Sequence, residues 1–216
     1  MRGHSRPKSI AVGPETRSDD GTERKGLVGK VPIVKLLIAS LALILIAVPA
    51  RGQENQSTYT DLNLDDCSIV TSDDMGSTWT CPGYRGIPVM VGEGDLRFFI
   101  SYGLKMTEER AAEQTLPPFN RIGEKIEWRL GMKDGELKPI ATILRYFTQR
   151  EEGEDEAQIL VVTRLELGAT CHVAYVDATA NSDANELARQ AADEMAPEFD
   201  CADEPEIVGE FEAWDN

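Results

Sequence analysis

The chain has 216 residues, 38 of them acidic and 22 basic, a formal net charge of −16 and an aromatic content of only 6%. Beyond residue 50 the imbalance steepens, with 34 acidic side chains against 14 basic ones and a net charge of −20. Such a surface excludes nucleic acid and anionic membranes as natural partners and favours cationic ones.

In chain order, residues 1–30 are polar, rich in Gly, Ser, Arg and Asp, and without apolar periodicity. Lys30 and Lys35 then precede a largely apolar run of thirteen residues, Leu36 to Val48, which leads into Pro49 and Ala50. Basic flank, short apolar core and small-residue site are the order of a secretory signal peptide, here Val31 to Ala50 with cleavage after Ala50. As a helix the thirteen residues cover about 20 Å, short of the ~30 Å hydrocarbon core of a bilayer. The competing reading is a retained single-pass anchor with Lys35 snorkelling at one end. Under both, the positive flank sends the C-terminal part out of the cytoplasm. With no cysteine near the cleavage site, lipid attachment there is excluded. Translation is expected to start nearer Val28 or Val31, from a bacterial initiation codon, leaving residues 1–27 outside the working signal.

The roughly 165 residues that follow suffice for one domain with its own core. All four cysteines lie here, which fits two disulfides in an oxidising compartment, periplasmic or extracellular. Residues 51–62 read as a polar linker and 202–216 as an acidic tail. Between them the pattern predicts an α+β domain over 63–201. Strands are expected near 66–71, 77–81, 86–91 and 96–102, then a short helix near 107–116. Further strands are expected near 124–131, 139–147, 158–165 and 170–176, then a longer helix near 183–196. Period-two alternation is clearest in Leu96, Phe98, Ile100, Tyr102 and in Ile126, Trp128, Leu130, as in half-buried antiparallel strands. The second helix carries Ala184, Leu187, Ala188, Ala191, Ala192 and Met195 at helical spacing; Asp183 and Glu186 resemble a capping box, and Pro197 ends it.

Residues 111–120 align without gaps on residues 191–200, Ala-Ala and Pro-x-Phe coinciding. That suggests two β-β-β-β-α halves, 63–120 and 121–201, joined into one eight-stranded surface with both helices on one side; chance similarity is the alternative. Facing Cys67 with Cys81 places Ile69 opposite Trp79 and Thr71 opposite Ser77, leaving Ser72 to Gly76 as the turn of a hairpin. Cys171 with Cys201 would then pin the last strand to the chain leaving the second helix. Three pairings exist in principle, and this is the nearest-neighbour one.

The inventory for catalysis is thin. Residues 51–216 hold a single histidine, His172, inside a predicted strand, and no nucleophile elbow, phosphate loop, dinucleotide fingerprint or Cys-x-x-Cys. Asn181 to Asn185 has alternating oxygens, yet Glu186 and Ala192 stand where a calcium loop needs glycine and a bidentate carboxylate, so no metal and no cofactor are expected. The acidic run Glu151 to Glu156 reads as a solvated loop. Arginine falls once in each of four successive strands, as Arg97, Arg129, Arg145 and Arg164. A shared face would suit a small anion, whereas pairing with neighbours such as Glu127 and Glu166 would silence it. Tyr84 and Arg85, in a turn-like stretch, would stand at a binding edge.

The pattern Trp79-Thr-Cys-Pro-Gly-Tyr84 with Gly94-Asp-Leu-Arg-Phe-Phe-Ile-Ser-Tyr-Gly103 resembles exported proteins of alphaproteobacteria with no established activity. The likeness covers most of residues 60–201 and implies an envelope location. Together these readings point to a non-enzymatic exported binding protein, inhibitor-like, for a basic protein such as a lysozyme-like enzyme. A small-anion binder using the strand arginines is the alternative, and a hydrolase comes third. N-terminal sequencing of the exported protein is expected to begin at Arg51, and sequencing of the unprocessed precursor to begin beyond residue 27.

Overall fold

The computed structural model describes residues 55–149 and 155–214; the signal segment, its cleavage site and residues 151–154 of the acidic run lie outside them. Among the described residues no helix is long and apolar enough to cross a membrane. The chain forms β1 (Gln56–Asp61), β2 (Ser68–Asp73), β3 (Gly76–Cys81), β4 (Val89–Gly94) and β5 (Arg97–Tyr102). Then come β6 (Asn120–Lys133), β7 (Glu136–Thr148), β8 (Ala157–Arg164), β9 (Cys171–Asp177), α1 (Ala184–Glu194) and β10 (Glu206–Ile207).

Strands β2-β3-β4-β5 make an antiparallel four-stranded meander, and β1-β6-β7-β8-β9-β10 a six-stranded sheet whose only parallel pair is β9 with β10. Alternation explains how they stack. Val89, Val91, Ile100 and Tyr102 from the small sheet share one buried cluster with Ile126, Trp128, Leu144, Tyr146, Ile159 and Val161 from the large one. The residues one step along, Ala141, Ile143, Leu160 and Val162, point the other way and meet Ala184, Ala188, Ala191 and Ala192 of α1. The order of layers is small sheet, large sheet, helix. The alanine stripe of α1 lets its backbone lie close to the sheet, as its spacing implies.

Trp128, fully buried, joins the layers: its indole Nε1 donates to Thr60 Oγ1 of β1 at 2.8 Å, and its ring meets Tyr102 of β5 edge-on at 5.6 Å. The turn after β3 passes so close that a Cβ on Gly83 would lie 2.9 Å from the Trp128 ring and 2.4 Å from the Ile87 carbonyl oxygen, so only glycine fits there.

Both expected disulfides form, Cys67–Cys81 and Cys171–Cys201. On the chain-entropy account, each is worth about 3–4 kcal/mol. Ile69 faces Trp79 as read, but an irregularity at Val70 shifts the register so that Thr71 faces Thr78 rather than Ser77.

The architecture of two β4α halves is corrected. Among the described residues there are ten strands in sheets of six and four, and one α-helix. The stretch near 107–116 is a 3-10 turn over Arg110–Glu113, because the buried Glu109 carboxylate turns away to accept from the backbone N–H of Gly168 (2.7 Å) and Thr170 (3.0 Å). Residues 56–61, assigned to a linker, form edge strand β1. The acidic tail is docked: Ala213 is buried, Phe211 and Trp214 stack edge-to-face at 4.6 Å, and the Asp177 carboxylate accepts from Glu212 N–H at 3.0 Å. Asp183 precedes α1 but its side chain caps nothing, contrary to the capping-box reading.

His172 lies in the interior, 1% exposed, sharing a 2.9 Å hydrogen bond with the Tyr175 hydroxyl. Burial first, and the Arg110 charge second, bring its imidazole down to about 3. In the unfolded chain it titrates near 6.5, so between those values the unfolded state binds the proton and the folded state does not. The stability this neutral imidazole preserves is therefore lost as pH falls from about 6.5 towards 3. Denaturant midpoints of the wild type are expected to drop more steeply across that window than those of His172→Gln; parallel slopes would show that His172 protonates without cost.

Candidate functional site

Three of the four strand arginines share a face. Arg129 and Arg164 both stand in register with Ala141, and Arg145 lies four residues along from Ala141 on β7, on the same face. That face is the one α1 covers, and each arginine is engaged separately at the rim of the helix. Arg129, nearly buried, holds Asp193 with its Nε at 2.9 Å from Oδ1 and donates to Ser57 Oγ at 2.6 Å. Arg145 donates to Gln158 Oε1 at 2.8 Å and Asn185 Oδ1 at 3.3 Å, and burial lowers the affinity of its guanidinium for a proton. Arg164 binds the Phe199 carbonyl and Glu166, and this hydrogen bond, with the Lys133 charge, holds the Glu166 carboxyl below its usual range. Glu127 pairs with Arg189 of α1 at 2.7 Å and accepts from Ser57 of β1, rather than answering a strand arginine.

Arg97 belongs to the other sheet, where it bonds Asp95 at 2.7 Å and the Pro117 carbonyl at 3.0 Å. Tyr84 packs its ring against Trp128, 6.0 Å between centroids, and Arg85 lies 5.2 Å over Tyr84. The six residues selected from sequence therefore do not converge on one point.

Several depressions open among the described residues, and one of about 640 Å³ is lined by Tyr84 and Arg85 with Lys138. A depression of about 510 Å³ lies beside Arg164, Lys133 and Asp193, and its charges answer one another, Lys133 with Glu166 at 3.5 Å and Asp193 with Arg129. A cleft of about 440 Å³ opens at the far end of the sandwich, lined by Trp79, Phe98, Phe119 and Phe147, with Glu93 and Arg121. The strands explain it. Ser77, Glu93 and Phe98 stand in register across β3, β4 and β5, on the face that two residues further along carries Trp79, Val91 and Ile100. That face is the inner one. Ile100 is 2% exposed, whereas Trp79 and Phe98, packed against the margin of the core, are only partly covered, so core-type aromatics meet solvent.

Asn120 holds the back of the cleft. Its backbone N–H donates to Leu96 O at 3.0 Å, its Oδ1 accepts from Phe98 N–H at 2.9 Å, and its Nδ2 donates to Pro118 O at 3.0 Å, so one side chain ties β5 to the start of β6.

The charges lining the cleft do not balance. Arg121 lies 3.8 Å over the Phe147 ring and bonds Glu156 through two nitrogens, at 2.6 and 3.3 Å. Arg97 sits 5.3 Å over Phe119 and is answered by Asp95. Glu93 is half-buried and has no ion-pair or hydrogen-bond partner among the described residues. The surplus is thus one carboxylate among aromatic faces, a setting that attracts a cation through both charge and ring quadrupole.

No group of three or more His, Cys, Asp or Glu among the described residues is arranged to hold a metal ion. Sequence reasoning missed this cleft although it had the alternation of Leu96 with Phe98, because alternation marks a face and not how far the opposing sheet reaches. Asn120→Ala is expected to loosen the β5–β6 seam and lower stability by about 1–3 kcal/mol, since it strips the Phe98 N–H of its acceptor. Thermal melting checks this, and an unchanged midpoint would contradict the role given to Asn120. Compared with known protein families, curated proteins and solved structures, the chain matches none of them.

Proposed function

We propose that the chain is an exported, periplasmic, non-enzymatic binding protein for a cationic protein, and that the aromatic cleft receives a lysine or arginine side chain of that partner. The observation that carries the reading is Glu93, a half-buried carboxylate without a described partner, set beside Trp79 and Phe98. A guanidinium entering there stacks on a ring and meets the carboxylate in a charge-assisted bond. Net charge supplies the approach: −20 over residues 51–216 steers a basic protein inward and speeds encounter at low salt. The two disulfides fit an oxidising compartment, and Cys67–Cys81 pre-organises the hairpin beside the cleft, limiting what is lost in ordering on association. Inhibition of a basic envelope hydrolase is the kind of task this arrangement suits.

The test is titration with acetyl-arginine amide, followed by the indole N–H resonance of Trp79. Wild type is expected to respond, with weakening at high salt. Glu93→Gln is expected to lose about tenfold in affinity, as for removal of a charge-assisted bond. A stronger response to phosphate or acetate than to the arginine derivative would refute the reading.

A further inference from the structure

The β2–β3 hairpin stands next to the cleft and carries an uncommon combination. All six residues of β2 are exposed, and it is the end strand of its sheet. Ile69 is 67% exposed, Val70 60% and, at the hairpin tip, Met75 84%; Leu96, at 62%, sits on the neighbouring turn. Soluble proteins ordinarily blunt an edge of this kind with lysine or proline. Here the whole stretch from Leu62 to Tyr84 contains no lysine or arginine, and Pro82 lies beyond β3, while Asp65, Asp66, Asp73 and Asp74 bracket β2 at both ends.

The irregularity at Val70 decides how the edge is used. Ile69 and Val70 together stand opposite the single residue Trp79, so the ladder is interrupted there and a flat incoming strand would lose register. What is presented is side chains. Ile69, in register with Trp79, and its neighbour Val70 lie outside the lining of the cleft and continue an apolar surface from Trp79 to the exposed edge of the sheet. A patch of apolar residues around a tryptophan with a charged rim is the composition of a protein interface.

We infer that the β2–β3 hairpin is the docking surface for a cationic amphipathic segment of the protein partner, with Ile69, Val70 and Met75 as apolar anchors and the four aspartates as its rim. A second copy of this chain does not fit, because hairpin against hairpin would set four aspartates against four with no cation between them. The inference rests on the proposed function and adds the surface to it.

The probe is a peptide of alternating leucine and lysine, titrated against the exported chain, with leucine–glutamate and serine–lysine versions as controls. The leucine–lysine peptide is expected to bind at least about tenfold more tightly than either control, and the triple variant I69S, V70S, M75S to lose about tenfold of that affinity. The same variant is expected to keep its melting temperature and its response to acetyl-arginine amide. Should the triple variant fold poorly, Met75→Ser alone, at the exposed tip, is expected to show a smaller loss of the same kind. Equal binding of the glutamate version, unchanged binding by the variants, or a wild-type dimer that the variants dissolve would each overturn the inference. Loss of the acetyl-arginine response with hairpin binding intact would overturn the cleft reading alone.

Discussion

Everything in this fold hangs on how two sheets of unequal strand length close over Trp128. The strands β6 and β7 run for 14 and 13 residues, whereas each strand of the small sheet has six. Where the sheets oppose each other, Trp128, Tyr102 and Tyr146 are buried completely or nearly so, and burial pushes both tyrosine hydroxyls well above their ordinary range. Removing a fully buried tryptophan ordinarily costs about 3–5 kcal/mol, a large share of a marginal total. The seal at Trp128 also fixes where the sandwich ends, and so where Trp79 and Phe98 emerge only partly covered.

The same geometry sorts the charges. On the outer face of the large sheet, α1 packs through alanines, which leaves its flanks near the sheet without bulky side chains of its own. Arg129, Arg145 and Arg164 fill that margin, and Arg189 answers Glu127 from the helix side. These bonds are partly sheltered from water and help to fix the helix on the sheet. The cleft, by contrast, brings inner-face residues of the small sheet, Trp79, Glu93 and Phe98, together with Phe147 and Arg121 of the large sheet and Glu156 just ahead of β8.

Much of this was legible in the sequence. All eight expected strands exist within a few residues of their predicted limits, because Val, Ile, Tyr and Trp alternate there with polar residues, and the cysteine spacing led directly to both disulfides. β1 escaped notice because Gln-Ser-Thr-Tyr-Thr-Asp has almost nothing apolar to alternate; it is an edge strand held by its ladder to β6 and by Thr60 under Trp128. β10 is two residues long and follows β9 only through main-chain pairing. The helix expected near 107–116 failed on a single competing interaction, the Glu109 carboxylate, which a linear pattern does not reveal. Within the candidate site, Arg97 and the aromatic residues were visible, but their meeting depends on Asn120 joining β5 to β6 across 22 positions in the chain.

The unpaired state of Glu93 is consistent with the acidity of the whole molecule. A chain of this charge stores self-repulsion, and Arg97, Arg121, Arg129, Arg164 and Arg189 are already answered by carboxylates of their own. An arginine placed near Glu93 by this protein itself would quench the cleft, as Glu156 quenches Arg121 and Asp95 quenches Arg97. On the proposed reading, the free carboxylate keeps that relief for a cation of the partner. Binding would then draw on two sources, the local bond at Glu93 and the lowered repulsion across the surface, and only the second would fade strongly with salt. Affinity for a basic partner should accordingly fall with ionic strength to a floor set by the cleft and the apolar hairpin, and the height of that floor measures how much of the recognition is made by contact rather than by charge.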